Sequence, residues 1–307
     1  MQAEDEQRTG SLDEAAAVFT ALRPRLFGIA YRMLGSAAEA EDVVQDVWLR
    51  WQATDRDAVQ NPSAFLTTAT TRLAINVTQS ARVRREAYVG PWLPEPVDTR
   101  ADPSVGAERG EAVELAVLLM LERLTPTERA AYVLREAFDY PYREIASVLD
   151  LGEANARQLV SRARKRIAEG RREQVGTTEH RRLLEAFVAA ARTGDMAGLE
   201  KLFASDVVSY ADSGGVVRRA ARVPVVGGSR VAKVVSAFTP RFWPGTEVAW
   251  VEANGLPAAL VTRDGTPVAL VAIGASAEGI DQLMWVMNPA KLTRFAGASS
   301  GPRESFA

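Results

Sequence analysis

The chain has 307 residues, 47% of them hydrophobic and 25% charged, with a formal net charge of −2. That balance suits ordinary globular cores over about two or three domains. It contains no cysteine and a single histidine, His180, which excludes disulfides and argues against zinc, and no apolar run approaches the ~20 residues that cross a bilayer.

The acidic start MQAEDEQRTG is unlike a secretory signal, so a cytoplasmic protein with no membrane attachment is expected. From Leu12 to about residue 89 the pattern is helical. AAAVFTALRPRLFGIAYRML repeats apolar residues at three and four, and Gly35-Ser36 suits a helix stop followed by a new N-cap. In the next helix, AEAEDVVQDVWLRW, Val43, Val47 and Trp51 alternate with Glu41, Asp42, Gln45 and Asp46. Asn61-Pro62-Ser63 interrupts, and AFLTTATTRLAINVTQSARVRREAY predicts a third helix with a threonine-rich surface and a basic end at Arg82, Arg84 and Arg85. Residues 90–107, opening with GPWLPEP, lack apolar periodicity and form a linker. Trp92 and Leu93 there offer apolar anchors on a proline-stiffened strand beside Pro94.

A second helical block spans 108–172. Thr125-Pro126-Thr127-Glu128 is a capping box with proline at the first helical position. Within YREIASVLDLGEANARQLVSRARKRI, one helix runs from Tyr142 to Leu149, Asp150-Leu151-Gly152 makes a short turn, and another starts near Glu153. Two helices joined this closely fit a helix-turn-helix. On the second, Ala156, Leu159, Val160, Ala163 and Ile167 share one face, while Arg157, Gln158, Ser161, Arg162, Arg164 and Lys165 share the other, with no acid from Ala154 to Ala168. Arginine and glutamine can read base edges and lysine or arginine can neutralise phosphates. Arg157, Gln158, Ser161 and Arg162, nearer the helix N-terminus, are the candidates for bases.

After about residue 178 the pattern turns α+β. EHRRLLEAFVAAARTG and DMAGLEKLF read as helices, and VVSY, TEVAWVE, AALVTR, PVALVAI and IDQLMWVM as strands, with Asp264-Gly265 a hairpin signal. Asp206, Asp212 and Asp281 are the carboxylates available for general-base work. His180 is expected in a solvated first turn, and residues 297–307 are expected to be disordered. No metal or cofactor motif is read.

These motifs resemble those of the sigma-70 family, extracytoplasmic-function (ECF) type, and the fused tail resembles the SigJ-like subgroup that carries a SnoaL-like, NTF2-like cone. The implied fold is multidomain: an all-α region 2 over 12–89, the linker 90–107, an all-α region 4 helix-turn-helix over 108–172, and an α+β cone over 178–296. The resemblance implies that Glu41, Asp42, Gln45, Asp46 and Trp48 grip core RNA polymerase, whose beta-prime clamp helices and beta flap are the expected partner surfaces. Asn76, with Arg82, Arg84 and Arg85, would read the −10 promoter element. Arg157, Gln158, Ser161, Arg162 and Lys165 would read the −35 element. In the tail, DSGGV keeps Asp212, Gly214 and Gly215 of a glycine-rich motif but has Val216 where lysine is usual. NPAKL keeps Asn288, Pro289, Lys291 and Leu292 but has Ala290 in place of aspartate. These residues, with Trp92, Leu93 and Pro94, imply a regulatory domain that packs on the linker, and its hollow cone suggests a small-molecule effector. A ligand-responsive helix-turn-helix repressor and a polyketide cyclase-like enzyme fused to a DNA-binding region are the competing readings.

Overall fold

Helix α1 (Gln2–Leu34) begins well before Leu12, where its apolar periodicity becomes visible. The computed structural model describes residues 2–99, 114–170, 172–217 and 220–295, with the side chains of 2–11, Arg82 and Val83 outside the described set. The second half of the linker and the segment 297–307 also lie outside it. The described chain sorts into two compact units. Residues 2–84 and 120–170 form the first, and residues 85–99, 114–119 and 172–295 the second.

In the first unit, Gly35 takes φ +64° to end α1, and Ser36 Oγ accepts from Glu39 N (3.3 Å) to start α2 (Ala37–Ala53). Asn61 Oδ1 accepts from Ala64 N (3.0 Å) to start α3 (Pro62–Glu86), whose first residue is the proline that had marked the break. The apolar stripe of α2, Val43, Val44, Val47 and Trp51, is buried, and Trp51 Nε1 donates to Ala15 O (3.1 Å). The threonines of α3 do not form a surface as the sequence suggested: Thr67, Thr70, Thr71 and Thr78 are buried. Thr70 and Thr78 donate to the helix carbonyls of Leu66 (2.9 Å) and Ala74 (2.7 Å), which removes the cost of burying a hydroxyl.

Helix α4 (Leu115–Leu121) leads to α5 (Pro126–Glu136), which opens with the full reciprocal capping box of Thr125 and Glu128. The helix-turn-helix is α6 (Tyr142–Leu149) and α7 (Glu153–Ala168), and the turn works because Asp150 adopts the left-handed conformation (φ +56°). Arg129, buried on α5, donates to Met33 O at the end of α1 and to Glu122 (2.6 Å each), and Thr67 and Tyr140 hydroxyls share a hydrogen bond of 2.9 Å. These contacts join the two helical blocks into one unit.

The second unit is a mixed sheet with helices α8 (Thr177–Thr193), α9 (Met196–Leu202) and α10 (Gly228–Phe242). Its strands are β1 (Phe203–Asp212), β2 (Val225–Val226), β3 (Thr246–Ala253), β4 (Leu256–Arg263), β5 (Thr266–Ser276) and β6 (Gly279–Val286), in the order β2-β1-β6-β5-β4-β3, with β1 and β6 parallel. Asn254-Gly255 (φ +54°, +77°) makes the β3–β4 turn and Asp264-Gly265 (φ +51°, +74°) the β4–β5 turn. Leu283 and Trp285 of β6 join Phe187, Phe242 and Trp243 in the core under the helices. Met284 and Val286, out of phase, are buried on the other face, where Leu115 and Ala116 of α4 share a small cavity with Met284 and Ala272. His180 lies in the first turn of α8, as read from the sequence, but it is buried rather than solvated, with Nε2 against Ile273 O (3.1 Å), and burial pulls its pKa below the ordinary value.

Candidate functional site

Three surfaces in the first unit carry the residues singled out by sequence. On α2, Asp42, Gln45 and Asp46 are exposed and their side chains make no hydrogen bond among the described residues. Glu41 is half-buried in an ion pair with Arg23 (2.6 Å). Trp48 is also half-buried, its ring 5.0 Å from that of Phe19, so it belongs to the core as much as to the surface. Leu49, beside them, is an exposed apolar side chain (55%) that the helical pattern did not flag.

On α3, Asn76 is exposed and its side chain makes no hydrogen bond among the described residues. Arg84 pairs with Glu39 (2.5 Å). The side chain of Arg82 lies outside the described set. Arg85, read from sequence as a promoter contact, belongs to the second unit, and its guanidinium carbon lies 3.5 Å from the ring centre of Trp92.

On α7 the structure separates the faces as the spacing demands. Ala156, Leu159, Val160, Ala163 and Ile167 are buried, while Arg157, Gln158, Ser161, Arg162, Arg164, Lys165 and Arg166 are exposed. Arg157 donates to Glu153 (2.6 Å) and lies over the Tyr142 ring (4.5 Å), and Arg164 donates to Glu136 (2.8 Å). The side chains of Gln158, Ser161, Arg162 and Lys165 make no hydrogen bond among the described residues.

The fourth cluster lies inside the second unit and gathers motifs far apart in sequence. Asp212, at the end of β1, has no exposed surface. Its carboxylate accepts from Tyr88 OH (2.5 Å), from Leu93 N (2.8 Å) and from Lys291 Nζ (2.6 Å). Lys291 also donates to Leu93 O, so the tail holds both the N–H and the C=O of one linker residue. Asn288 caps the short helix α11 (Pro289–Leu292) by accepting from Ala290 N (3.1 Å), and its Nδ2 donates to Tyr88 OH (2.8 Å). Pro289 is the first residue of that helix. Gly214 takes φ +57°, and a Cβ there would come within 2.8 Å of Asn288 Nδ2, so the glycine is required both for the turn and for the approach.

Burial pulls the Lys291 ammonium below the ordinary lysine value, against the pull of Asp212 in the other direction. Burial, then the hydrogen bond and charge of Asp212, push the Tyr88 hydroxyl well above its ordinary value. The tyrosine therefore stays neutral and donates. Around this node, Leu93, Pro94, Pro96 and Val97 are buried. Leu93 is the apolar anchor, at 1% exposure, whereas Trp92 is half-buried and receives two cations, Arg85 and Lys291 (4.3 Å). Further along, Val97 N donates to Asn254 Oδ1 (3.1 Å) and Asn254 N to Val97 O (3.0 Å), which adds the linker to the tip of the β3–β4 hairpin. Sequence reading missed Tyr88 and Asn254. Tyr88 follows a basic helix end and shows no local sign of burial, while the positive-φ Asn254-Gly255 turn was a detectable signal.

Of the three carboxylates considered for proton transfer, Asp212 and Asp206 are otherwise occupied. Asp212 is committed to three donors, Asp206 pairs with Arg172 (2.8 Å), and burial raises the pKa of Asp281 despite the nearby Arg172. Among the described residues, no helix is long and apolar enough to cross a membrane.

Comparison with known proteins gives these surfaces a common context. The sigma-70 region 2 family matches residues 18–86, and the sigma-70 region 4 family matches residues 114–167. The ECF RNA polymerase sigma factor SigJ of Mycobacterium tuberculosis is 39% identical over 232 residues, 74% of each chain. The probable ECF RNA polymerase sigma factor SigI of the same organism is 31% identical over 287 residues, 91% of this chain and 95% of that one. The crystal structure of SigJ superposes with a TM-score of 0.72 at 33% identity, covering 91% of this chain and 98% of the other. Neither the repressor nor the enzyme reading finds support among these relatives. The chain belongs to the ECF RNA polymerase sigma factors, initiation factors of the sigma-70 family, and it carries a C-terminal helix-plus-sheet region beyond regions 2 and 4.

Proposed function

We propose that this sigma factor acts in the cytoplasm under the control of its own C-terminal region, which clasps the linker through Asp212, Asn288 and Lys291. The single observation behind this reading is the capture of both polar backbone groups of Leu93 by Asp212 and Lys291. The cost of burying that charge pair is offset only while the linker is in place. Its SnoaL-like cone takes a small effector. Residues 12–89 bind core RNA polymerase, at the beta-prime clamp helices, through Asp42, Gln45 and Asp46, supported by Glu41 and Trp48. The −10 element is met by Asn76 and Arg84, and the −35 element by Arg157, Gln158, Ser161, Arg162 and Lys165, with region 4 on the beta flap.

Run-off transcription with core RNA polymerase tests the regulatory step. The full chain, a chain ending at Thr178 and the full-length variant Lys291→Ala are compared on the same promoters. The expected result is that Lys291→Ala shifts transcript yield towards that of the shortened chain; yield equal to the parent overturns the clasp. Asp46→Arg is expected to lower polymerase affinity at least tenfold while duplex DNA affinity holds, because it places a cation on a surface that meets the polymerase with acid. Unchanged polymerase affinity would remove Asp46 from the contact.

A further inference from the structure

Two cavities meet behind the node. The inner one, about 60 Å³, lies between the sheet and α10 and is walled by Phe238, Trp243, Trp285, Met287, Ala211 and Ser209. A water needs roughly 10–15 Å³ of such space, so this chamber has room for a short apolar chain. Its only polar side chain in that wall is Ser209. The outer cavity, about 370 Å³, is lined by Val89 and Gly90 of the linker and by Ser213, Gly215 and Arg222 of the segment between β1 and β2. The two share Ala220 and Ala221 as a common wall. Arg222 is exposed at this cleft and makes no hydrogen bond or ion pair among the described residues. An apolar chamber beside a cleft of ligand size, the two sharing Ala220 and Ala221 and the cleft carrying an uncommitted guanidinium, defines the chemistry of an occupant.

We propose that these cavities bind a small amphipathic carboxylate, with its aliphatic end in the inner chamber and its carboxylate at Arg222. Such an occupant touches the residues next to each of three node members. Val89 follows Tyr88, Ala211 and Ser213 flank Asp212, and Met287 precedes Asn288. Met287 N also donates to Asp212 O (2.7 Å), so a shift of either chamber wall is passed to the carboxylate that holds Leu93. The binding stands on the cavities alone; its regulatory consequence rests on the clasp proposed above.

Titration calorimetry on the full chain, with octanoate and its neutral counterpart octanamide as probes, tests the site. Octanoate is expected to bind, and Arg222→Ala to weaken it about tenfold or more while leaving octanamide unchanged, as loss of a charge-assisted contact requires. Val234→Trp, at a half-exposed position lining the inner chamber, is expected to abolish binding of both. No binding of octanoate by the parent chain, or equal octanoate affinity in Arg222→Ala, overturns the proposal. Octanoate binding that leaves transcript yield unchanged supports the site and counts against the regulatory reading of the tail.

Discussion

Helix α7 and the Asp212 node handle charge in opposite ways. On α7, Arg166 alone of the paired arginines reaches a buried partner, Glu128, while Arg157 at 59% and Arg164 at 52% are half or more exposed and pair with the exposed Glu153 and Glu136. Ion pairs of that kind contribute about 0–1 kcal/mol and are readily exchanged for phosphates or base edges. In the node, Asp212 is wholly buried and Lys291 is 12% exposed. A pair removed from water stabilises little in net terms, yet leaving one partner alone is expensive. The stripe on α7 is therefore a surface held in readiness, and the node is a commitment that only the linker completes.

The largest test of this contrast is Asp212→Ala, which leaves the buried Lys291 without its counter-charge and the Leu93 N–H without its acceptor. The expected loss is about 3–5 kcal/mol in the unfolding free energy of the second unit, measured by denaturant melts followed through tryptophan fluorescence. A change below about 1 kcal/mol would mean that the node is no more committed than a surface pair. Next in size, Arg157→Ala should weaken −35 binding by about 1–3 kcal/mol while changing stability by under about 0.5 kcal/mol. Equal loss of affinity on random duplex would make Arg157 a phosphate contact. The smallest effect belongs to His180. Its folded pKa lies below the unfolded value of about 6.5, so the unfolded chain binds more protons between the two and stability rises with pH across that window. Acidification from pH 7 to 5 should cost at most about 1.4 kcal/mol per unit from this group. His180→Gln should flatten that part of the slope, while the opposite contribution of Asp281, whose pKa is raised, remains in both chains. Identical slopes would show that the burial of His180 is not coupled to folding.

The α7 surface was legible because it is local. Apolar residues at helical spacing, a left-handed Asp150 and an acid-free polar face all lie within a few turns, and α6 and α7 begin where the sequence placed them. The strands were legible from alternation and β-branched runs, with β2 too short to register. Helix α10 was not read, because Val231, Val234, Val235 and an internal Pro240 have poor helix propensity and packing on the sheet decides the outcome. The buried threonines of α3 escaped for a related reason: hydroxyls that bond their own helix look polar in sequence and behave as filler in a core. At the node, the motif resemblance supplied Asp212, Asn288 and Lys291, but no local pattern linked Tyr88 to a carboxylate 124 residues away.

The second unit holds the chain at Leu93, through Asp212, and again, just before α4, at Glu114, whose carboxylate accepts from Gln174 Nε2. Leu93 and Glu114 are thus moored to partners in one and the same unit, so the interval between these two points of the chain is a property of how that unit folds.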